Sequence, residues 1–320
     1  MNTALTDREI VVDSDLGHDP DDLVAIALAA QVIPNLTLLT SDETGGRRAA
    51  LGREYLAELG RSDVEVIEGI DLGGAERFVT ATPAASPRTD QQKDDVVDTM
   101  VAQVARICER ASSPIVWVGM GPMTNLAAVL TRLPHLAERF DVVQMGGWVA
   151  GHQVGPYTYR DKSRASHNLR IDPPAAGVAL RMLPEPRLVL SEVTNAPEIR
   201  LTPDWPIIRT FQQPSAPAWA QRLSQHLQAW FDRKPGTWMH DPLTLAAALD
   251  LGFVHFCHEQ VRIASDARLY PDEHGCPVRM SHTADYPAFL EWMHEHLLAA
   301  ATRTHIPSNL PHHRAQSAAE

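Results

Sequence analysis

Val11-Val12-Asp13-Ser14-Asp15-Leu16-Gly17-His18-Asp19-Pro20-Asp21-Asp22 runs directly into Leu23-Val24-Ala25-Ile26-Ala27-Leu28. The valines read as the end of a strand, Gly17 permits a turn, and the apolar run continues as a helix. Asp13, Asp15, Asp19, Asp21 and Asp22 therefore crowd one strand-to-helix turn. Carboxylates this dense repel one another, so a fold that gathers them needs a cation. Asp21 and Asp22 fall in the first helical turn, where the backbone dipole also favours negative charge. One or two such acids would be a solvated helix cap. Five beside a strand end point to a hard cation, Ca²⁺ or Mg²⁺ rather than zinc.

Outward from this turn, strand-like and helical runs alternate through the first 200 residues. Strands are predicted at 10–13, 36–40, 64–67, 115–118, 142–145 and 187–190, and helices at 21–31, 46–59, 94–110, 123–133 and 173–182. The alternation predicts an α/β fold: one large doubly wound domain with a mostly parallel central sheet and a more helical C-terminal third. Ligands of such sheets sit at the carboxyl ends of the strands. The aspartate cluster, the turn after Val118 and the Gly146-Gly147 turn all lie at such ends. The Pro/Thr/Ala/Ser-rich stretch 78–93 reads as a surface loop, 149–167 as a flap near the ligand, and 301–320 as a frayed tail after a domain spanning 1–300.

At 320 residues and 44% hydrophobic, the chain can bury a full core. No apolar run reaches the roughly 18 residues that cross a bilayer, and the first residues lack a signal-peptide pattern. Cys108, Cys257 and Cys276 have no CxxC spacing and are odd in number, which argues against a disulfide framework and for the cytoplasm. A net charge of −12 argues against binding to nucleic acid or an anionic membrane. Trp205, Trp219, Trp230 and Trp238 are expected mainly in the core, with one or two free to stack on an aromatic ligand.

Two further motifs carry chemistry. In His240-Asp241-Pro242-Leu243, Asp241 could simply cap an apolar helix with Pro242 at its first position. The neighbouring His240 titrates near neutrality and can deliver a proton. In Val118-Gly119-Met120-Gly121-Pro122-Met123-Thr124-Asn125 the glycines let backbone approach closely and offer a carbonyl to a metal.

Taken together, these residues resemble the calcium-dependent nucleoside hydrolases. Asp13, Asp15 and Gly17, followed by Asp21-Asp22-Leu23, match the family's N-terminal Asp-rich motif in an Asp-Pro-Asp-Asp variant in which Asp19 has no counterpart. Gly121-Pro122-Met123-Thr124-Asn125-Leu126-Ala127, Met145-Gly146-Gly147, Asn168 with Asp172-Pro173, Val193-Thr194-Asn195 and His240-Asp241-Pro242-Leu243 follow in the family's order over residues 11 to 250. The resemblance implies hydrolysis of an N-glycosidic bond in a small nucleoside-like substrate, with Ca²⁺ as cofactor and a homo-oligomer, dimer or tetramer, as the assembly. It implies Asp15 as metal ligand and general base, and Asp22, Asp241 and the Met120 carbonyl as further ligands. Asp21 and Asn168 would hold the ribose hydroxyls, and His240 would protonate the departing base.

The match breaks in two places. Glu43 lies where relatives commonly carry an Asn near the ligand. Ala165-Ser166-His167-Asn168 replaces their Ala-Glu-Phe-Asn, and no Asn lies between Gly147 and His167. Glu43, Ser166 and His167 are thus the substrate-contact candidates at altered positions. Arg160, Lys162, Arg164 and Arg170 flank this gap, either as solvated cations or as partners for a 5′-phosphate. Tyr157, Tyr159, Trp238 and His167 are the candidate base contacts. Two other readings stay open: a Mg²⁺-dependent haloacid-dehalogenase-type phosphatase using Asp13 as nucleophile and Asp15 as acid/base, and a non-catalytic nucleoside or sugar binder.

Overall fold

The computed structural model describes residues 8–73, 77, 89–149 and 165–302. In chain order the elements begin with β1 (Ile10–Ser14), α1 (Asp21–Val32), β2 (Leu36–Thr40), α2 (Arg47–Glu58) and β3 (Glu65–Ile67). Then come α3 (Asp90–Arg110), β4 (Ile115–Gly119), α4 (Thr124–Arg132), β5 (Phe140–Met145), α5 (His167–Ile171), α6 (Pro173–Met182) and β6 (Arg187–Val189). The remainder is α7 (Ser191–Thr194), β7 (Arg200–Leu201), α8 (Pro206–Phe211), α9 (Ala218–Phe231), β8 (Thr237–Trp238), α10 (His240–Ala248), β9 (Val254–Ile263), β10 (Leu269–Pro271), β11 (Cys276–Ala284) and α11 (Tyr286–Thr302).

Among the described residues, nine strands form one sheet in the order β10-β9-β11-β6-β5-β4-β1-β2-β3. Every pairing from β3 across to β11 is parallel, and β9 and β10 extend that edge antiparallel. The chain winds outward from β1 through β2 to β3, then returns and winds the other way from β4 through β5 to β6. The reversal falls between β1 and β4, where Asp13 lies opposite Gly119. The loops after these two strands part at this point and leave the crevice in which such sheets bind ligands.

Successive residues of β1 feed different cores, as a strand's alternation requires. Ile10 and Val12 pack with the helices α1, α2 and α8 to α11, whereas Val11 packs with α3, α4 and α6. Helix α1 is buried from Asp21 through Ala30 because α10 and α11 cover the side turned away from the sheet. That burial explains its unbroken apolar run. Helix α3 starts at Asp90, four residues before the predicted start at 94, because Thr89 caps it reciprocally with Gln92.

The C-terminal third is helical as expected, with one addition: the long β9–β11 ribbon. Exposure alternates only over His258, Gln260 and Arg262 of β9 and not along β11, so no period-two pattern stands out in the sequence. Most of the predicted surface loop, flap and tail (78–88, 150–164 and 303–320) lies outside the described residues. No helix among the described residues is long and apolar enough to cross a membrane.

Candidate active site

The crevice between β1 and β4 opens into a cavity of about 280 Å³. Asp15, Asp19, Asp21, Asp22 and Asp241 line it, with no Lys or Arg in the lining among the described residues. Carboxylate oxygens of Asp21, Asp22 and Asp241 lie within 4.8 Å of one another, and all three residues are buried. Oxygens bound to one Ca²⁺ at about 2.4 Å lie at most about 4.8 Å apart, so this spacing suits a hard divalent ion. Burial pushes all three carboxyls well above their ordinary range. Mutual repulsion adds to it: Asp15 acts on Asp22, Asp19 and Asp22 on Asp21, and Asp21 and Asp22 on Asp241.

Each acid is fixed by a different partner. Ser14 donates its hydroxyl to Asp22 at 2.5 Å and accepts from the Leu16 N–H at 3.1 Å. The Asp241 N–H, at the start of α10, donates to Asp21 at 3.2 Å. Asp19, without a counterpart in the motif, accepts from Thr237 on β8, and burial raises its carboxyl to about 6. Asp13 does not line the cavity. It is 1% exposed, accepts from Asn125 at 2.9 Å, and burial raises it to about 8. A phosphoryl nucleophile at Asp13 would therefore be enclosed and already engaged.

The loop after β1 is held from beneath by Arg48 of α2, whose side chain is wholly buried. It donates to the carbonyls of Asp15, Leu16 (2.6 Å) and Asp42 (2.7 Å), and pairs with the Asp42 carboxylate. Gly121 lets the β4 loop close on this turn, since a Cβ there would stand 2.1 Å from Ser41 Oγ and 3.2 Å from Asp15 Cβ. Met120 faces the cavity, and its carbonyl accepts from Asn168 Nδ2 at 2.6 Å. The same amide reaches the Met145 carbonyl at 3.2 Å, so Asn168 joins the ends of β4 and β5.

His240 borders the cavity from α10, with Nδ1 2.7 Å from the Thr194 hydroxyl. Its ring stacks on Trp238, over which Arg200 lies at 5.0 Å. Burial, reinforced by His167, holds its pKa down at about 4. His18, His167 and Trp230 complete the aromatic side. His18 meets Trp230 edge-on and runs nearly parallel to His167, 17° between planes and 6.4 Å between centroids. Burial lowers the pKa of both histidines.

Two candidates point elsewhere. Glu43 is fully buried and accepts from Thr40 (2.7 Å) and from the N–H groups of Thr44, Arg48 and Ala49 (2.9, 2.7 and 2.9 Å). Its charge serves the open N-terminus of α2. Ser166 Oγ accepts from the Gly147 N–H at 2.7 Å and anchors the β5 turn. Tyr157, Tyr159, Arg160, Lys162 and Arg164 lie outside the described residues. Asn125 and Thr194, which hold Asp13 and His240, fall within motifs that assign them no role, and Ser14 and Arg48, which hold Asp22 and the β1 loop, carry no sequence signal beyond their polarity.

Residues 10–291 match the family model described as "Inosine-uridine preferring nucleoside hydrolase". The pyrimidine-specific ribonucleoside hydrolase RihA of Shewanella woodyi is 26% identical over 255 residues, covering 75% of this chain and 78% of the relative. RihA of Photobacterium profundum is 27% identical over 262 residues, covering 76% and 80%. Among solved structures, the plant nucleoside hydrolase PpNRh1 superposes with a TM-score of 0.69 at 20% identity, covering 92% of this chain and 99% of that one. The inosine-uridine preferring nucleoside hydrolase of Bacillus anthracis gives a TM-score of 0.65 at 16% identity, covering 91% and 99%. The chain thus belongs to the inosine-uridine preferring nucleoside hydrolase family.

Proposed function

We propose that this protein hydrolyses the N-glycosidic bond of an uncharged ribonucleoside, releasing free base and ribose, with Ca²⁺ as cofactor. The observation that carries this reading is the convergence of Asp21 and Asp22 with Asp241, more than 200 residues away in sequence, beside Asp15 and His240. Asp22, Asp241, Asp15 and the Met120 carbonyl are the residues that would hold the ion, with Asp21 adjoining. Bound Ca²⁺ would supply the positive charge that offsets the carboxylates and orients the sugar's diol and the attacking water.

The chain's own groups divide the rest of the work. Asp15 takes the proton from the water whose oxygen attacks C1′. Asp21 accepts from a ribose hydroxyl. Asn168 spends its amide N–H groups on the Met120 and Met145 carbonyls, leaving its amide oxygen to accept from the other. As the C1′–N bond breaks, its electron pair leaves with the base, which solvent protonates. The neutral His240, its pKa held at about 4, donates a hydrogen bond from its ring proton to that developing charge. A Thr194 hydroxyl donating to Nδ1 puts that proton on Nε2, so the neutral imidazole remains a donor.

An anionic 5′ substituent suits this cavity poorly: five carboxylates line it, and no Lys or Arg does among the described residues. The test is release of free base from uridine, cytidine and inosine, with EDTA and after Ca²⁺ is restored, together with uridine 5′-monophosphate. Calcium-dependent release from a nucleoside and little from the monophosphate supports the reading. Release that persists in EDTA rejects the cation, and preference for the monophosphate rejects the uncharged substrate.

A further inference from the structure

His167 presents a donor that no other described residue uses. It lines the cavity at the start of α5, one residue before Asn168. Its Nδ1 lies 3.0 Å from Nη2 of Arg170 at the exposed rim. A guanidinium has donors only, so Nδ1 must accept, and a neutral imidazole that accepts at Nδ1 carries its proton on Nε2. Nε2 is buried and has no hydrogen-bond partner among the described residues. A buried N–H left unpaired costs about 1–3 kcal/mol, and native structures rarely retain one without a use. The adjacent His18 also leaves a buried nitrogen, Nδ1, without a partner among the described residues, which thus satisfy neither ring fully.

We propose that His167, held as the Nε2–H tautomer by Arg170, is a specificity-determining donor that recognises an uncharged hydrogen-bond acceptor on the nucleoside. The inference rests on the hydrolase reading for its substrate, and on hydrogen-bond geometry alone for its tautomer. The acceptor belongs either to the leaving base, as a carbonyl or ring nitrogen, or to the sugar, as the 5′ oxygen. Arg170 is a positioning residue: it lies at the rim and acts through the imidazole.

The two sources separate by comparing uridine, 5′-deoxyuridine and p-nitrophenyl β-D-ribofuranoside as substrates of the calcium-loaded protein. His167→Phe is expected to lose about tenfold in kcat/KM on uridine, the size of one neutral hydrogen bond. His167→Gln, whose amide nitrogen sits near the position of Nε2, should keep most of the rate. The His167→Phe penalty should vanish on the nitrophenyl riboside if the base carries the acceptor, and on 5′-deoxyuridine if the sugar does. A loss equal on all three substrates, no loss on uridine, or a His167→Gln rate as low as that of His167→Phe overturns the proposal. The tautomer is read apart from activity by long-range ¹⁵N–¹H NMR of the imidazole. Protonation on Nε2 in wild type and Arg170→Lys, with a tautomer mixture in Arg170→Met, is expected. An Nδ1–H or cationic His167 in wild type overturns it, even if no nucleoside proves to be a substrate.

Discussion

Asp22→Asn should stabilise the metal-free protein and abolish its response to calcium. Asp22, Asp21 and Asp241 present oxygens within 4.8 Å of one another in a buried site. At an effective dielectric of 20, two charges at that distance repel by about 3 kcal/mol. The fold can escape by protonating a carboxyl of ordinary pKa near 4, which costs about 4 kcal/mol at pH 7 and so sets the ceiling. Asparagine removes the charge yet keeps an oxygen for the Ser14 hydroxyl, so that bond survives. The expected gain is about 2–4 kcal/mol, or a Tm higher by on the order of 5–10 °C in a domain of this size.

Calcium should reverse the ranking. At a hundredfold excess over Kd it adds about 2.7 kcal/mol to the wild type and almost nothing to the variant. The pH dependence has a fixed sign. Asp22 has a raised pKa in the folded protein, so the metal-free fold holds a proton that the unfolded chain sheds. Its contribution is intact below the unfolded pKa and is lost as pH rises, so the Tm gap between variant and metal-free wild type should be wider at pH 8 than at pH 5.5. Differential scanning calorimetry in EDTA and in Ca²⁺ measures both. A metal-free Asp22→Asn that melts below wild type refutes the repulsion argument, and a wild-type Tm indifferent to Ca²⁺ refutes the cation site.

Asp15→Ala should retain the wild-type circular dichroism spectrum while base release falls by about 10²- to 10⁴-fold, the usual worth of a positioned base; a rate within tenfold of wild type removes Asp15 from that role. Arg48→Met should cost about 3–5 kcal/mol in urea unfolding, because the carbonyls of Asp15, Leu16 and Asp42 lose their buried donor. Asp42 keeps its two-point pair with Arg77, so a cost under about 1 kcal/mol would mean that the carbonyls find other partners. His226 is buried and neutral, donates to the His18 carbonyl at 3.0 Å, and has a pKa pushed down to about 4. A depressed pKa gives stability that is full above the unfolded value of about 6.5 and is lost as pH falls, by about 2 kcal/mol at pH 5. The stability difference between wild type and His226→Gln should shift by that amount between pH 7 and pH 5, and a constant difference refutes it.

The parallel sheet and the position of its crevice were legible because strand-turn-helix signals repeat and Asp13, Gly119 and Gly146 mark strand ends. The second acidic arm was legible through the ordered series of family-like motifs, since Asp241 before Pro242 reads by itself as a helix cap. Arg48 was not: it sits on an ordinary helical pattern, and nothing local reveals that its guanidinium reaches the carbonyls of Asp15, Leu16, Asp42 and Arg77. Ser14 reads as a spacer between two aspartates, yet its hydroxyl selects the orientation of Asp22. Glu43 shows the opposite failure. The resemblance draws it toward the ligand, whereas the Arg48 and Ala49 N–H groups in the first turn of α2, five and six residues away, offer its carboxylate a closer and drier partner. Short motifs report backbone geometry well; side chains that act across the fold leave no such trace.

The acidic cluster also raises a question that magnitudes decide: is the fold itself enough to hold it? Asp21 and Asp22 lie in the first turn of α1 and Asp241 in the first turn of α10, so two helix N-termini converge on the three carboxylates. Each terminus offers about 0.3–1 kcal/mol to a nearby negative charge, and about 2 kcal/mol where the geometry is partly buried. Two termini therefore supply at most about 4 kcal/mol, against three pairwise repulsions of about 3 kcal/mol each. Hydrogen bonds from Ser14 and the Asp241 N–H narrow this gap without closing it. The helices thus place the charges and lower their cost, but the fully ionised set is left for a cation to hold. Its position at the sheet's switch point would put that cation in the cavity that Asp15 and His240 also line.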